Sequence, residues 1–367
     1  MAQIWFLTMN NRLNVMLPVL EVTRGQVVEC IHFGAAAVVD AQGNLLASCG
    51  NTKMVAFLRS SAKPLQCLPF VERNGPRAFG LTERELALLC ASHTGSDLHV
   101  QTVAGIQAKA GINEADLQCG THLPEDAEAF KAAVCGGSPL TPNRHNCSGK
   151  HSGMLAHARL RGLPLETYLD MSHPIQQDIL ATLCEMCAIN VQKVKIGIDG
   201  CSAPNFAIPL YNAALGYARL ADPASLPTER ARACRQITAA MSRYPEMVAG
   251  YGKFDTRLME VGGGKIISKG GADGYQAVAL LPGALGADSP GIGIVLKISD
   301  GDAALRNKDL TTYHRARPAV MLEILRQLGA LDESQLAQLA EFGPINPVLN
   351  NRGLVVGERR PVFELQR

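Results

Sequence analysis

Hydrophobic and polar positions along the chain change their period twice and so divide the sequence into three stretches. Residues 26–51, QVVECIHFGAAAVVDAQGNLLASCGN, contain β-branched and apolar runs interrupted at AQGN. Runs of this kind on both sides of a turn sequence predict two strands joined as a hairpin. From Ser60 to about residue 250, apolar residues instead recur at helical spacing. The middle of the chain is therefore predicted to be mainly helical.

Helix boundaries are marked most clearly in that middle stretch. Thr82 and Glu85 have the spacing of a capping box ahead of an apolar run. Residues 173–188 and 228–243 have the period of amphipathic helices. Beyond the middle stretch, three apolar segments bounded by glycine turns predict strands, and one more helical segment follows them. These segments are 263–271, 274–282 and 291–301 for the strands, and about 310–328 for the last helix.

The order of these elements predicts an α+β fold. Strands at both ends of the chain with helices between them favour one mainly antiparallel sheet, whose second half comes from the C-terminal part. We expect residues 22–58 together with 252–367 to form a sheet-containing subdomain. Residues 59–251 are expected to form a mainly helical one. With 367 residues, the chain is long enough to bury a core in both.

Composition narrows the class of partner. A net charge of +2, with no basic run interleaved with aromatic residues, argues against nucleic acid or an anionic membrane as the partner and favours a small molecule. Eleven cysteines without the spacing of a disulfide scaffold favour a reducing compartment. Residues 1–17 lack a signal-peptide run, and no apolar run reaches the ~20 residues of a membrane span. We expect a soluble, cytoplasmic protein.

A serine and a lysine stand three residues apart in RSSAKPLQ. Ser60 and Lys63 would share a helix face, whereas Ser61 and Lys63 would not. Pro64 is tolerated only in a first helical turn, which places the helix start near Ser60. The same spacing fits a capped helix end with a solvated lysine. The catalytic alternative is a nucleophile and its base, because serine attacks only after losing its proton, which a neutral lysine can take.

Two further residues complete a three-part pattern. ASHTG places Ser92 at the end of a predicted helix, and SKGGADG places Lys269 on a late predicted strand. A Ser-x-x-Lys pair, a second serine and a Lys-x-Gly strand occur together in penicillin-binding proteins, serine β-lactamases and serine-type glutaminases. Because these proteins transfer acyl groups, Ser92 is expected to carry a proton to a leaving nitrogen.

A second set of candidates lies in HNCSGKHSGML and DGCSAPNF. On a helix, Cys147 is three residues from Lys150 and four from His151, so all three can face one point. Cys201 follows a predicted strand and an Asp-Gly turn. Spacing alone favours Cys147, His151 and Cys201 as zinc ligands, because two thiolates and a third donor suit Zn²⁺. Two buried free cysteines are the alternative interpretation.

Taken together, the motifs resemble one family, the rhizobial-type L-asparaginases, a serine-lysine class that binds zinc. The resemblance runs from about Glu21 to Val356. It implies a fold similar to the serine β-lactamases and glutaminases, a homodimer, and hydrolysis of the side-chain amide of L-asparagine. It rests on seven ordered blocks: RSSAKPLQ, CASHTG, NCSGKHSGML, DGCSAPNFAIPL, PEMVAGYGKFDTRLM, KGGADG and KISDG.

The resemblance also implies roles for single residues. Ser60 corresponds to the nucleophile and Lys63 to its base, with Ser92 and Lys269 as a supporting pair. For the Zn²⁺ cofactor, the family pattern favours Lys150 over His151, against the spacing argument. The remaining implied roles are zinc ligation by Cys147, Lys150 and Cys201, a place beside the metal for Asp199, and substrate contact by Asp199, Arg59 and His151.

Three positions depart from the family pattern, namely Cys30, Ala35 and Thr52. These departures are expected to affect one wall of the site and hence specificity. Two other functions stay open. One is another serine amidohydrolase of the same fold, a glutaminase or a β-lactamase-like enzyme. The other is a zinc-stabilised binding protein without turnover.

Overall fold

The computed structural model describes residues 16–367. Most of residues 1–17, in which we expected no signal peptide, therefore lies outside the described residues. Strands at both ends of the described range build the principal sheet. The strands are β1 (Leu17–Arg24), β2 (Val27–Asp40), β3 (Leu45–Cys49), β4 (Val55–Phe57), β5 (Lys195–Ile198), β6 (Pro204–Pro209), β7 (Ile266–Gly271), β8 (Tyr275–Leu280), β9 (Ile292–Ile298), β10 (Leu305–Arg306), β11 (Thr312–Tyr313), β12 (Asn346–Leu349) and β13 (Val355–Pro361).

Helices occupy most of the chain between β4 and β7, as the sequence predicted. The helices in this stretch are α1 (Lys63–Glu72), α2 (Gly75–Ala78), α3 (Glu83–Leu89), α4 (Asp97–Ala110), α5 (Ala127–Cys135), α6 (Ser148–Leu160), α7 (Pro174–Met186), α8 (Leu210–Ala221), α9 (Thr228–Arg243), α10 (Pro245–Val248) and α11 (Phe254–Val261). Two more, α12 (Arg317–Leu328) and α13 (Glu333–Gln338), follow the strands of the C-terminal part. The capping box that begins α3 is present, with Thr82 and Glu85 bonded reciprocally.

The principal sheet has eight antiparallel strands. Seven follow the order β12-β13-β1-β2-β9-β8-β7, and β3 pairs with β2 beside them. The predicted hairpin of residues 26–51 is therefore confirmed, and the three predicted late strands lie side by side as β7, β8 and β9. The α+β class with a mainly antiparallel sheet is confirmed. The chain supplies this sheet from its two ends.

Alternation along β2 divides the core between the two faces of the sheet. Ala35 and Ala37 face the large helical region that includes α1 and α8. Ala36 and Val38 face α12 and the C-terminal segment. Successive side chains of a strand point to opposite faces, so one buried strand serves both cores. The fold is a sheet covered by helices on each side. The predicted division into two subdomains stays a prediction.

The last long helix begins later than the sequence predicted, at Arg317 and not near residue 310. Residues 312–313 belong to the short strand β11. Asp302 accepts backbone N–H bonds from Arg315, Ala316 and Arg317, and so satisfies the donors that precede the first turn. A cap from a residue 15 positions away cannot be read from local spacing.

A second, three-stranded sheet has the order β4-β6-β5, and its strands β5 and β6 lie inside the region predicted to be mainly helical. Its middle strand β6 is buried apart from its last residue. This sheet matters for the site because β4 leads directly to Ser60. Among residues 16–367, no helix has both the length and the apolar character required to cross a bilayer.

We predict that Gly293→Ala destabilises the protein, because α8 crosses β9 at backbone distance. A Cβ atom at Gly293 would lie 1.8 Å from the Ala214 carbonyl oxygen. The free energy of unfolding should fall by about 2 kcal/mol or more, measured by urea denaturation.

Gly105→Ala is the matched control. A Cβ atom there would meet only Glu85 Oε1, at 3.4 Å. Gly105 lies inside α4, so alanine should raise the free energy of unfolding by about 0.5–1 kcal/mol. Equal stability of the two variants would contradict the close approach at Gly293.

Candidate active site

Ser60 lies in a short 3₁₀ turn, Arg59–Ala62, that leads directly into α1. The Lys63 N–H donates to the Ser60 carbonyl, so the two residues occupy one continuous helical turn. The α-helix itself begins at Lys63. Arg59 has a left-handed backbone with φ of 51°, and its N–H donates to Asn205 Oδ1 at 3.1 Å. Non-glycine residues adopt this conformation uncommonly, so β6 helps to hold the turn that presents Ser60.

Ser60, Ser92 and Lys269 line one cavity of about 330 Å³. Strand β7 lies beside the turn that carries Ser60, which brings the early and late motifs together. Clefts of about 620 and 990 Å³ also occur within residues 16–367, but neither contains a predicted catalytic residue. Chemistry and not size therefore identifies the smaller cavity as the candidate site.

Two lysines converge on the Ser92 hydroxyl. Lys63 Nζ lies 2.8 Å and Lys269 Nζ lies 3.0 Å from Ser92 Oγ. Each amine also donates to a backbone carbonyl, Lys63 to Ala91 at 2.5 Å and Lys269 to Gly270 at 2.7 Å. The Ser60 hydroxyl forms no hydrogen bond to any residue from 16 to 367. The predicted second pair is thus in direct contact, and Lys63 belongs to the same chain of contacts.

Burial changes the ionisation of Lys269. The side chains of Lys63 and Lys269 are both 1 % exposed. Burial, with the nearby Lys63 charge, lowers the pKa of Lys269 to about 7. A neutral Lys269 amine can accept the Ser92 proton while still donating to the Gly270 carbonyl. The site can therefore hold and move a proton at the Ser92 hydroxyl near neutral pH.

Cys147, Lys150 and Cys201 also lie together. Cys147 immediately precedes α6, Lys150 lies in its first turn, and Cys201 follows β5. Lys150 Nζ is 3.0 Å from Cys201 Sγ. A hydrogen bond from the Cys201 thiol lowers the pKa of the Cys147 thiol against the effect of burial. The arrangement favours a Cys147 thiolate.

These donors fit a zinc ion. Zn²⁺ is bound in proteins by sulfur, nitrogen and carboxylate ligands, and Asp199 Oδ2 lies 4.0 Å from Cys201 Sγ. Burial disfavours the charged form of Lys150, but Cys201, Cys147 and Asp199 outweigh it and raise the pKa of the lysine. A metal cation would take the place of that proton, since ligands bind metals in deprotonated form.

The spacing-based set with His151 is not gathered in the structure. His151 Nδ1 lies 2.6 Å from the Tyr168 hydroxyl. In the described part of the chain, no three His, Cys, Asp or Glu side chains are placed to hold one metal ion. His151 is also fully buried and does not line the 330 Å³ cavity. The helical spacing was correct, and Tyr168 holds one ring nitrogen of His151, while Nε2 has no hydrogen-bond partner among the described residues.

Arg59 and Asp199, the other predicted substrate contacts, bind each other. Arg59 Nε donates to Asp199 Oδ1 at 2.8 Å, and Arg59 Nη1 binds the Asp273 carboxylate. Neither Arg59 nor Asp199 lines the cavity that contains Ser60. The structure therefore places them between Ser60 and the group formed by Cys147, Lys150 and Cys201, which we call the cysteine-lysine set.

Charged residues that the sequence reasoning did not single out line the same cavity. Lys253 Nζ lies 3.2 Å from Glu125 Oε2, and both contact Thr312. Lys253 and Asp255 belong to the block PEMVAGYGKFDTRLM. The sequence analysis used this block for the family resemblance but assigned no role to its residues. No spacing pattern indicated Glu125, Asp302 or Arg317, which also line the cavity, and Asp273 lies in the block KGGADG without an assigned role.

None of the three departures from the family pattern lies in the lining of this cavity. Ala35 is buried in the helical core, Cys30 is exposed on β2, and Thr52 lies in the turn before β4. The expected change to one wall of the site is not seen at these positions.

A family model described as L-asparaginase II matches residues 20–361. The chain belongs to the L-asparaginase II family. This family membership identifies it as an amidohydrolase. A search of curated proteins found no match.

Solved structures similar to this family member include a glutaminase from Bacillus subtilis in covalent complex with 5-oxo-L-norleucine. The two chains are 12 % identical with a TM-score of 0.37, covering 82 % of this chain and 89 % of the glutaminase. A β-lactamase from Mycobacterium bovis is 14 % identical with a TM-score of 0.41, covering 80 % and 94 %.

We predict that Lys63→Met raises the pKa of Lys269 above its value of about 7, because Lys63 is one of the charges that lower it. The titration can be followed by NMR of ¹³C-labelled lysine side chains, with Lys269→Arg used to assign the signal. Lys109→Met, which removes a half-exposed lysine paired with Glu85, should leave the midpoint unchanged. An unmoved Lys269 midpoint in Lys63→Met would contradict the coupling of the two lysines.

Proposed function

We propose that this chain hydrolyses L-asparagine to L-aspartate and ammonia through an acyl-enzyme on Ser60. The observation that carries the proposal is the contact of Lys63 and Lys269 with Ser92 in the cavity that Ser60 lines. Family membership supports the choice of asparagine. A free amino acid is also compatible with a cavity of about 330 Å³ whose walls carry both signs of charge.

In the acylation step, Lys63 first gives its proton through Ser92 to neutral Lys269. Ser60 Oγ then attacks the carbon of the side-chain amide while Lys63 takes the Ser60 proton. The N–H of Ser60, in a first helical turn where no intrahelical acceptor exists, can donate to the developing oxyanion. Ser92 passes a proton to the leaving nitrogen, the C–N bond breaks, and ammonia departs. A β-aspartyl ester on Ser60 remains.

In the deacylation step, a water molecule gives a proton to the lysines through Ser92 and attacks the ester carbon. The C–O bond to Ser60 breaks, and Ser60 regains its proton. The pKa of about 7 for Lys269 suits this exchange, because an acid-base group works best when its pKa lies near the working pH. L-Aspartate is the product.

Cys147, Lys150 and Cys201 are the residues that would hold zinc, with Asp199 beside them. When bound there, Zn²⁺ would supply a positive charge able to bind an oxygen atom of the substrate. The side chains that hold it would also orient the loop after β5, through Asp199 and its bond to Arg59.

Homodimer formation and a cytoplasmic location belong to the same proposal. All eleven cysteines are free in the structure, which agrees with a reducing compartment. The resemblance to dimeric relatives is the support for the dimer.

The substrate prediction is tested by ammonia release from L-asparagine, L-glutamine and D-asparagine, beside hydrolysis of a chromogenic β-lactam. L-Asparagine should be clearly the best substrate and the β-lactam inert. Glutamine is longer by one methylene, which should weaken it by about 1–3 kcal/mol in transition-state binding. If no ammonia is released from L-asparagine, with or without added zinc, the proposal is wrong.

Ser60→Ala provides the control for the nucleophile and should abolish turnover while leaving the fold intact. Ser61→Ala should matter much less, because the Ser61 hydroxyl is buried and bonded to the Leu58 carbonyl at 2.7 Å. Mass spectrometry of the quenched wild-type reaction should show the acyl group on the peptide that contains Ser60. Near-normal activity of Ser60→Ala would exclude the acyl-enzyme.

The zinc prediction is tested by elemental analysis of protein purified without added metal, which should contain about one zinc per chain. Cys201→Ser and Lys150→Ala should lose most of it. His151→Ala should retain it, because the family pattern places Lys150 and not His151 among the ligands. Loss of zinc in the histidine variant with retention in the lysine variant would restore the spacing-based ligand set.

A further inference from the structure

Lys269 lies on an edge strand, so its position against Ser92 has to be secured from outside the sheet. Strand β7 pairs with β8 on one side only. Side chains alternate along a strand, which puts Ser268 and Gly270 on the face opposite to Lys269. Edge strands carry backbone groups without strand partners. The two residues that flank Lys269 are therefore the points at which this segment can be held.

Asp255, on α11, binds both of these flanking residues. Its Oδ1 accepts from the Ser268 hydroxyl and its Oδ2 from the Gly270 N–H, each at 2.7 Å. Gln276 Nε2, on β8, also donates to Oδ1 at 2.7 Å. The carboxylate is buried, at 8 % exposure, and all three bonds tie it to the paired strands. One side chain thus fixes β7 on both sides of the lysine.

Glycine at position 270 is what allows the carboxylate to come this close. A Cβ atom at Gly270 would lie 3.1 Å from Asp255 Oδ2 and 3.1 Å from Arg317 Nη1. Contacts of that length force neighbouring atoms to move. The glycine that follows Lys269 is therefore explained by the approach of Asp255, in addition to any approach of substrate.

We propose that Asp255 is a positioning residue that holds Lys269 against Ser92 through Ser268 and the Gly270 N–H. Its catalytic meaning rests on the proposed amide hydrolysis, but the contact between Asp255 and the lysine strand does not. Asp255 need not touch the substrate for this role.

The charge of Asp255 also acts on Lys269. Burial, together with the neighbouring Lys63 on α1 and Arg317 on α12, lowers the pKa of Lys269 to about 7. Asp255 on α11 and Cys147 ahead of α6 act in the opposite direction. Removing the Asp255 charge should thus move the Lys269 titration to lower pH.

The test compares Asp255→Asn with Ser268→Ala in the full chain. In Asp255→Asn, the Lys269 midpoint, followed by ¹³C-lysine NMR, should fall by about one pH unit or more. The acid limb of the kcat profile should move with it, and the plateau kcat should fall at least about tenfold through misplacement of the lysine. Ser268→Ala keeps the charge, so it should lower kcat without moving the midpoint.

Glu323→Gln is the matched control, because Glu323 is also 8 % exposed and pairs with Arg326 on α12, away from β7. Glu323→Gln should change neither the Lys269 midpoint nor kcat. An unchanged midpoint in Asp255→Asn, or full kcat in both site variants, overturns the inference. If Asp255→Asn does not fold, a normal kcat in Ser268→Ala overturns it instead.

The two proposals fail separately. A midpoint that shifts in Asp255→Asn although the wild type releases no ammonia would support the contact and refute the asparaginase function. Ammonia release by the wild type with no effect of either site variant would support the function and refute the role of Asp255.

Discussion

Two lysine amines buried against a single serine hydroxyl are the arrangement on which the rest of this site depends. Removing an ion from water costs several kcal/mol even after the protein relaxes. Lys63 and Lys269 each recover part of that cost by donating to a backbone carbonyl, and they share Ser92 Oγ. Two such cations also repel each other. The pair is therefore least costly when one amine is neutral, and a neutral amine beside a serine is what proton transfer requires.

The architecture follows from bringing these amines together from distant parts of the chain. Lys63 begins a helix that packs in the large core, and Lys269 lies on the edge strand of the principal sheet. The strand can approach the Ser60 turn because position 271 is glycine. A Cβ atom there would lie 2.8 Å from the Leu58 carbonyl oxygen. Backbone contact between an edge strand and a 3₁₀ turn thus sets the width of the site.

Local signals in the sequence predicted the local structure well. The Thr82–Glu85 capping box and the 228–243 helix are present as predicted, because each depends on neighbours within a few residues. The contact of Lys269 with Ser92 joins residues 177 positions apart, and the sequence connected them only through motif patterns of known enzymes. Asp302 at the start of α12 and Tyr168 beside His151 show the limit of spacing arguments. In the first case a distant carboxylate decides where a helix begins. In the second, a distant hydroxyl holds one ring nitrogen of a histidine.

Arg59 explains how residues that do not line the cavity can still belong to the site. Its backbone stands immediately before Ser60 in a left-handed conformation, held by Asn205. Its side chain binds Asp199, which lies beside Cys201, and also Asp273 in the turn after β7. A shift of the cysteine-lysine set would therefore act on the residue next to the nucleophile. An arginine at this position is accounted for by its bonds to three segments of the protein, so direct contact with the substrate is not needed to explain it.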